Sequence, residues 1–136
     1  MAEKIEEQYL DVLQNIEFAL VSVYNQEPKL TDYGSLYAVE TLIKVYTAEL
    51  QGRTVALPQF QPHEQAAYDA VKSMCDWWLG RETLENAEDK GELKMDNPRT
   101  PEEIIACLKR IQRSIQGWQK RGGRRGYYEF VKQYIT

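Results

Sequence analysis

The sequence has few of the residues from which metal and catalytic sites are built. It contains one histidine, His63, and two cysteines, Cys75 and Cys107, among 136 residues. A single histidine excludes the paired Glu-x-x-His motifs of di-iron bundles and the His-Glu-x-x-His zinc motif. Two distant cysteines are too few for a disulfide framework or a zinc ribbon, so we expect both to be small buried side chains. The sequence predicts no metal site and no cofactor.

Long hydrophobic runs are also absent. No apolar run approaches the ~20 residues that cross a bilayer. The first seven residues are acidic and lack the basic and apolar regions of a signal peptide. With 43% hydrophobic and 28% charged residues, the composition is that of a globular protein. We therefore expect a single cytoplasmic domain over residues 1–136 that does not contact membranes.

Carboxylates are missing from one long stretch, residues 104–128. The net charge of the chain is −4, and seven positive charges fall in this stretch, so the remainder carries −11. Such a segregated basic segment predicts an anionic partner: nucleic acid, a phosphate-bearing ligand, an acidic protein, or the acidic remainder of the chain itself. The seven residues are Lys109, Arg110, Arg113, Lys120, Arg121, Arg124 and Arg125.

Hydrophobic residues recur at helical spacing, without sustained strand alternation or internal repeats. Thr31 or Asp32 can cap the second helix, and residues 100–103 form a capping box with proline at the first helical position. Glycines at 52, 80 and 122 follow the last apolar residue of a helix and suit its C-terminal cap. The pattern predicts an all-α, up-and-down bundle without a sheet. Its four long helices lie at about 3–25, 31–51, 62–79 and 100–121, with a short C-terminal fifth helix at 127–135.

The apolar stripes predict which residues form the core. Short connections after the first two helices favour antiparallel neighbours. On the second helix the stripe contains Leu36, Val39, Ile43, Tyr46 and Leu50, and on the third helix Asp76 is expected to face water. The predicted core includes Val12, Ile16, Ile43, Val71, Met74, Leu108, Ile111 and Ile115.

The most polar stretch, residues 81–99, is rich in carboxylates and contains Gly91 and Asn97-Pro98. We expect a long, mobile acidic loop there, with at most one helical turn at 82–87. Its carboxylates offer one set of partners for the basic segment.

The basic residues of the fourth helix fall on one line. Lys109, Arg113, Gln116 and Lys120 lie opposite its apolar stripe, and Arg110 and Arg121 flank them. One interpretation is a solvated face paired with the acidic loop at 82–96. The other is a face that binds anions, because arginine forks onto phosphate or carboxylate.

Residues 122–126 and three aromatic side chains also have two interpretations each. The glycine-rich segment is either a helix cap with a turn or a phosphate cradle that uses Arg124 and Arg125. Tyr127 and Tyr128 either stack on bases or belong to the core. Trp77 is either the edge of the core or an anchor for a partner.

The first helix has apolar residues on two sides. Leu10, Phe18 and Val21 project opposite its main stripe. Leaving them in water would be costly, so we expect either the fifth helix or a second copy of the chain to cover them. The second alternative predicts a homodimer.

Catalytic groups do not converge in the sequence. The serines lack a nucleophile-elbow setting, and Glu40 and Lys44 are interpreted as an ordinary helix pair. We therefore predict an interaction or regulatory module without enzyme activity. The alternative function is binding of nucleic acid or a phosphate ligand through residues 109–125. An acidic protein or compact phosphate ligand ranks above nucleic acid, because the acidic remainder repels a polyanion.

Overall fold

The computed structural model describes residues 8–85, 92–93, 95, 97–122 and 126–135. Within them the chain forms four long helices, a short C-terminal helix and a minimal β-hairpin, which confirms the all-α bundle. None of the described helices is both long and apolar enough to cross a membrane. The elements are α1 (Leu10–Gln26), α2 (Asp32–Leu50), α3 (Pro62–Trp78), β1 (Leu84–Glu85), β2 (Glu92–Leu93), α4 (Pro101–Lys120) and α5 (Gly126–Ile135).

The predicted start signals of α2 and α4 and the glycine stops are confirmed, whereas α1 begins at Leu10, with Tyr9 as its cap, and not at about residue 3. At α2 the Gly34 amide donates to the Thr31 hydroxyl at 3.2 Å. At α4 the capping box is complete, because the Glu103 amide donates to the Thr100 hydroxyl and the Thr100 amide donates to the Glu103 carboxylate. The glycines after α2, α3 and α4 have the left-handed conformation, with φ of +69° at Gly52, +77° at Gly80 and +78° at Gly122.

The long helices pack in the cyclic order α1, α3, α2, α4, so α1 and α2 lie diagonally opposed. α2 and α3 run parallel, because Tyr46 near the end of α2 bonds Asp76 near the end of α3, and Glu49 bonds Arg81. The directions are therefore up, down, down, up. The predicted bundle alternates in direction, and this one does not. The connection at 51–61 runs from the end of α2 back to the level of its start, so that α3 begins beside the start of α2. Eleven extended residues span roughly 36 Å, more than the about 28 Å of the 19-residue α2.

The acidic segment between α3 and α4 is partly described. Leu84 pairs with Leu93 and Glu85 with Glu92 in an antiparallel ladder. The helical turn predicted at 82–87 is therefore wrong, and a two-residue ladder stands where no sheet was expected. The mobility predicted for the whole loop at 81–99 stays a prediction, and residues 86–91, 94 and 96 of it lie outside the described residues.

Most of the predicted core is buried. Six of its eight members are at most 1% exposed, and Ile43 and Met74 are half-buried against them. The α2 stripe was placed off-centre, because Leu50 is exposed and the buried face contains small and polar residues that hydrophobicity does not mark. The buried members from the prediction are Val12, Ile16, Val71, Leu108, Ile111 and Ile115.

Both cysteines and one aspartate lie in the interior of the bundle. Cys75 and Cys107 are buried and unpaired, as predicted, and burial raises the pKa of the Cys107 thiol to about 12. Asp76, which was expected to face water, is also buried. Its carboxylate accepts hydrogen bonds from the Tyr46 hydroxyl at 2.8 Å and the Lys72 ammonium at 2.6 Å. These bonds explain why a charged residue can lie between α2 and α3.

Candidate functional site

The basic residues of α4 form an exposed row. Lys109, Arg113 and Lys120 are exposed along the outer face of the helix, opposite its buried isoleucines and leucine. We call these three residues the basic row. Among the described residues, no carboxylate lies within ion-pair distance of any of them. In the described part of the chain their charges therefore face solvent without a counter-ion.

The two flanking arginines have other surroundings. Arg121 is exposed at the end of α4, and its guanidinium lies 4.9 Å from the centre of the Trp118 ring. Arg110 is half-buried, and its guanidinium donates to the Ser114 hydroxyl at 2.7 Å. Arg110 therefore points away from the basic row. The predicted roles of Arg124 and Arg125 lie outside the described residues.

Pairing between the end of the basic row and the described base of the acidic segment is excluded by distance. The Arg99 amide donates to the Trp78 carbonyl at 2.7 Å, which fixes this base at the start of α4. Lys120 lies at the other end of that 20-residue helix, about 30 Å away. The remaining carboxylates of the segment lie outside the described residues.

A depression beside the basic row collects cations from three elements. It has a volume of about 460 Å³ and lies between α2, α4 and the connection that follows α2. Lys44, Arg53 and Lys109 line it, and its described lining contains no carboxylate. The predicted Glu40–Lys44 pair is not formed, because the Glu40 carboxylate instead accepts from the Gln112 amide at 3.1 Å. The other lining residues are Ile43, Thr47, Ala48, Thr54 and Val55.

A second depression, of about 420 Å³, lies at the opposite end of the row. Lys120, Gln116 and Gln119 line it together with Tyr33, whose side chain is 70% exposed. Tyr33 is thus an aromatic contact beside the basic row that the sequence did not single out. In the sequence, Tyr33 is marked only by its position directly after Thr31 and Asp32, the predicted cap residues of α2.

The glycine-rich turn and the tyrosines after it serve the fold. Gly122 closes α4, and an added Cβ at Gly126 would lie 2.9 Å from the Trp118 ring. Tyr127 and Tyr128 are buried, which agrees with the core interpretation and leaves neither ring open for stacking on a base. The Tyr127 hydroxyl donates to the Glu17 carboxylate and the Tyr128 hydroxyl to the Thr31 carbonyl. A phosphate cradle would need residues 123–125, which lie outside the described residues.

The back face of α1 is only partly covered. Val21 is buried, which removes it from the predicted self-association surface, whereas Leu10 and Phe18 remain 47% and 50% exposed. α5 places Phe130 and Tyr134 beside them, next to a groove of about 330 Å³. The groove also contains the half-buried Glu17, whose pKa is raised by burial. α5 therefore leaves an apolar surface open on this side.

Trp77 is half-buried and packs against the core, with its ring centre 5.0 Å from that of Trp78. This position agrees with the core-edge interpretation. A role as an anchor for a partner stays a prediction.

Neither metal-ligand residues nor similarity to other proteins indicates a function for these surfaces. The described residues contain no group of three or more His, Cys, Asp or Glu that could hold a metal ion. The His63 ring packs against Gly34, 3.3 Å from the position of an added Cβ. Comparison with protein-family models, curated proteins and solved structures finds no match.

Charge is distributed unevenly around the bundle. α3 carries Glu64 and Asp69 on its surface, and it lies diagonally opposite α4. With neighbouring helices about 9 Å apart, the diagonal axes are about 13 Å apart. This exceeds the screening length of about 8 Å at physiological ionic strength. The carboxylates of α3 therefore weaken anion binding at the basic row only slightly.

Proposed function

We propose that this protein is a cytosolic, non-enzymatic binding module that docks an acidic protein segment on the basic row. The observation that carries this proposal is the absence of carboxylate partners for Lys109, Arg113 and Lys120 among the described residues. Cations without internal partners attract an anionic surface and set the rate and specificity of its association.

The dimensions of the row favour a protein partner over nucleic acid. Eleven residues separate Lys109 from Lys120, so the row is about 16 Å long. An acidic helix of three turns matches this length. On DNA, three or four cations would neutralise few phosphates, whereas specific complexes neutralise about 6–10. Exposed Tyr33 at one end would add an apolar contact to a protein partner.

The first test removes two charges from the row. We expect R113Q/K120Q to bind a labelled peptide of about 12 Asp and Glu residues at least tenfold more weakly than the wild type, because two charge-assisted contacts are lost. Fluorescence anisotropy at low and physiological salt measures the affinity. The matched control is K29Q, which removes one exposed positive charge outside the row and is compared with K120Q alone.

Equal losses in K29Q and K120Q would show that only net charge matters and would contradict the proposal. A duplex oligonucleotide provides the second comparison. Its affinity should fall roughly 100-fold between about 50 and 200 mM salt if four phosphates are neutralised. Duplex binding that persists at the higher salt would instead support the nucleic-acid alternative.

The open back face of α1 leads to a separate prediction of self-association. Because α5 leaves Leu10 and Phe18 half-exposed, we expect a second copy to cover them and the protein to sediment as a homodimer at micromolar concentration. F18Q should shift the protein towards monomer. The control L57Q changes an equally exposed apolar residue on the connection after α2. A wild-type monomer under these conditions would rule out the dimer.

A further inference from the structure

The depression between α2, α4 and residues 51–61 has the properties of a compact anion site. Lys44 on α2, Arg53 on the connection and Lys109 on α4 line it from three directions. The hydroxyls of Thr47 and Thr54 line the same space and add two further donors. The tertiary fold therefore brings together three positive charges and two hydroxyls that are scattered along the sequence.

The donors of this depression are not consumed by internal bonds. No carboxylate lines it, and among the described residues Lys44, Arg53 and Lys109 form no ion pair. The Arg53 guanidinium donates to the Gln51 side chain, and a guanidinium has five donors in all. The backbone amides of Thr54 and Val55 likewise have no acceptor in the described part of the chain.

Two nearby features oppose an anion. The first is the Glu40 carboxylate, which is bonded to Gln112 about one helical turn from Lys44 and Lys109. The second is the C-terminal end of α2, which borders the depression, and the exposed carbonyls of a helix end carry partial negative charge. Here the Ala48 carbonyl already accepts from the amides of Gln51 and Arg53, and the Glu49 carbonyl accepts from Gly52. These bonds reduce the opposing field, and three full positive charges outweigh what remains.

We propose that this depression binds a phosphate monoester that carries a small apolar group. A phosphate monoester has up to two negative charges and three acceptor oxygens, which match three cations and two hydroxyls. A carboxylate has one charge and would leave part of this set unused. Ile43 and Val55 supply the apolar wall, and Val55 is 37% exposed there. The apolar group of the ester lies against these two side chains.

This site extends beyond the acidic-segment function and shares only Lys109 with the basic row. The phosphate group can come from a free small ester or from a phosphorylated side chain. Phenyl phosphate is the probe for the first source. A phosphotyrosine peptide with neighbouring acidic residues is the probe for the second, because it reaches the pocket and the row together.

The test is a titration followed by amide shifts of the full chain in NMR, at constant ionic strength. Phenyl phosphate should shift the amide resonances of Lys44, Thr54 and Val55 until they saturate. Its affinity should be higher than that of inorganic phosphate. R53Q should weaken phenyl phosphate at least about tenfold, because one charge-assisted contact is lost. The control K29Q removes one positive charge from the exposed connection after α1, outside both the pocket and the row, and should change the affinity less than about twofold.

V55S separates the two halves of the site. It should remove the advantage of phenyl phosphate over inorganic phosphate while inorganic phosphate binding stays the same. Arg53 and Val55 lie on an exposed connection, so both variants should fold. Circular dichroism of R53Q and V55S checks this. If the shifts do not saturate by about 10 mM, or if chloride and sulfate produce them equally, the site is overturned.

The source of the phosphate follows from the peptide. If the phosphate comes from a phosphorylated segment of the acidic partner, the phosphotyrosine peptide binds more tightly than phenyl phosphate. R113Q/K120Q then reduces the affinity of the peptide to that of phenyl phosphate. Equal binding of peptide and phenyl phosphate identifies a free small ester. Failure of R53Q alone to weaken phenyl phosphate disproves the pocket without affecting the basic row. Failure of R113Q/K120Q to weaken the acidic peptide disproves the row without affecting the pocket.

Discussion

Ile111→Ala should lower the free energy of unfolding by about 2–5 kcal/mol. Ile111 lies in the middle of α4 and is 1% exposed. The substitution removes three buried carbons and leaves a cavity that α1 and α2, the neighbours of α4, fill only in part. Urea unfolding followed by circular dichroism at 222 nm measures the change.

Arg113→Ala is the matched control for this substitution. It lies two positions further along the same helix but on the exposed face. Its effect should stay within about 0.5 kcal/mol, as is usual for surface sites. A comparably small effect for Ile111→Ala would mean that the apolar face of α4 is not the centre of the core.

The second large effect concerns Asp32, which is fully buried at the first position of α2. Neither carboxyl oxygen has a hydrogen-bond donor among the described residues. Burial raises its pKa from the ordinary 3.8 of an aspartate to about 6. The charged form is therefore disfavoured in the folded chain, where Ser35 and Tyr128 are its polar neighbours.

The raised pKa makes stability depend on pH. Below the unfolded pKa the carboxyl is protonated in both states, and its contribution to stability is fully present. As pH rises through about 6 this contribution is lost, because ionisation is easier in the unfolded chain. The difference between the two pKa values corresponds to about 3 kcal/mol at neutral pH.

Asp32→Asn isolates this effect, since the amide cannot ionise. Between about pH 4 and 7.5, the wild type should lose about 3 kcal/mol of unfolding free energy relative to the variant. Urea unfolding of both proteins at several pH values measures the loss. Other carboxylates, including Glu17, titrate in both proteins and cancel in the difference. Parallel curves would show that Asp32 is solvated or bonded in the folded state.

Helix boundaries were predictable because their signals are local. The box of Thr100 and Glu103 and the glycines at 52, 80 and 122 act within one turn of helix. The basic row was predictable for the same reason, since helical periodicity alone places Lys109, Arg113 and Lys120 on one line.

The side chains of the candidate pocket show where local signals end. Lys44 stands four residues after Glu40, which predicted an ordinary helix pair. That pair is replaced by a bond from Gln112 on α4, which sequence spacing does not reveal. Arg53 joins Lys44 and Lys109 only because the connection after α2 turns back along the helix.

The sequence by itself determined the all-α class, the helix ends, the buried cysteines and the basic face of α4, because each depends on contacts within one or two helical turns. Only the tertiary structure decided that α2 and α3 run parallel, that α5 packs with Tyr127 and Tyr128 buried, and that three distant cations share one depression. These features depend on which apolar faces meet across the bundle. Helices with similar amphipathic faces can satisfy the same periodicity in several arrangements, and the summed packing of all the helices selects one of them.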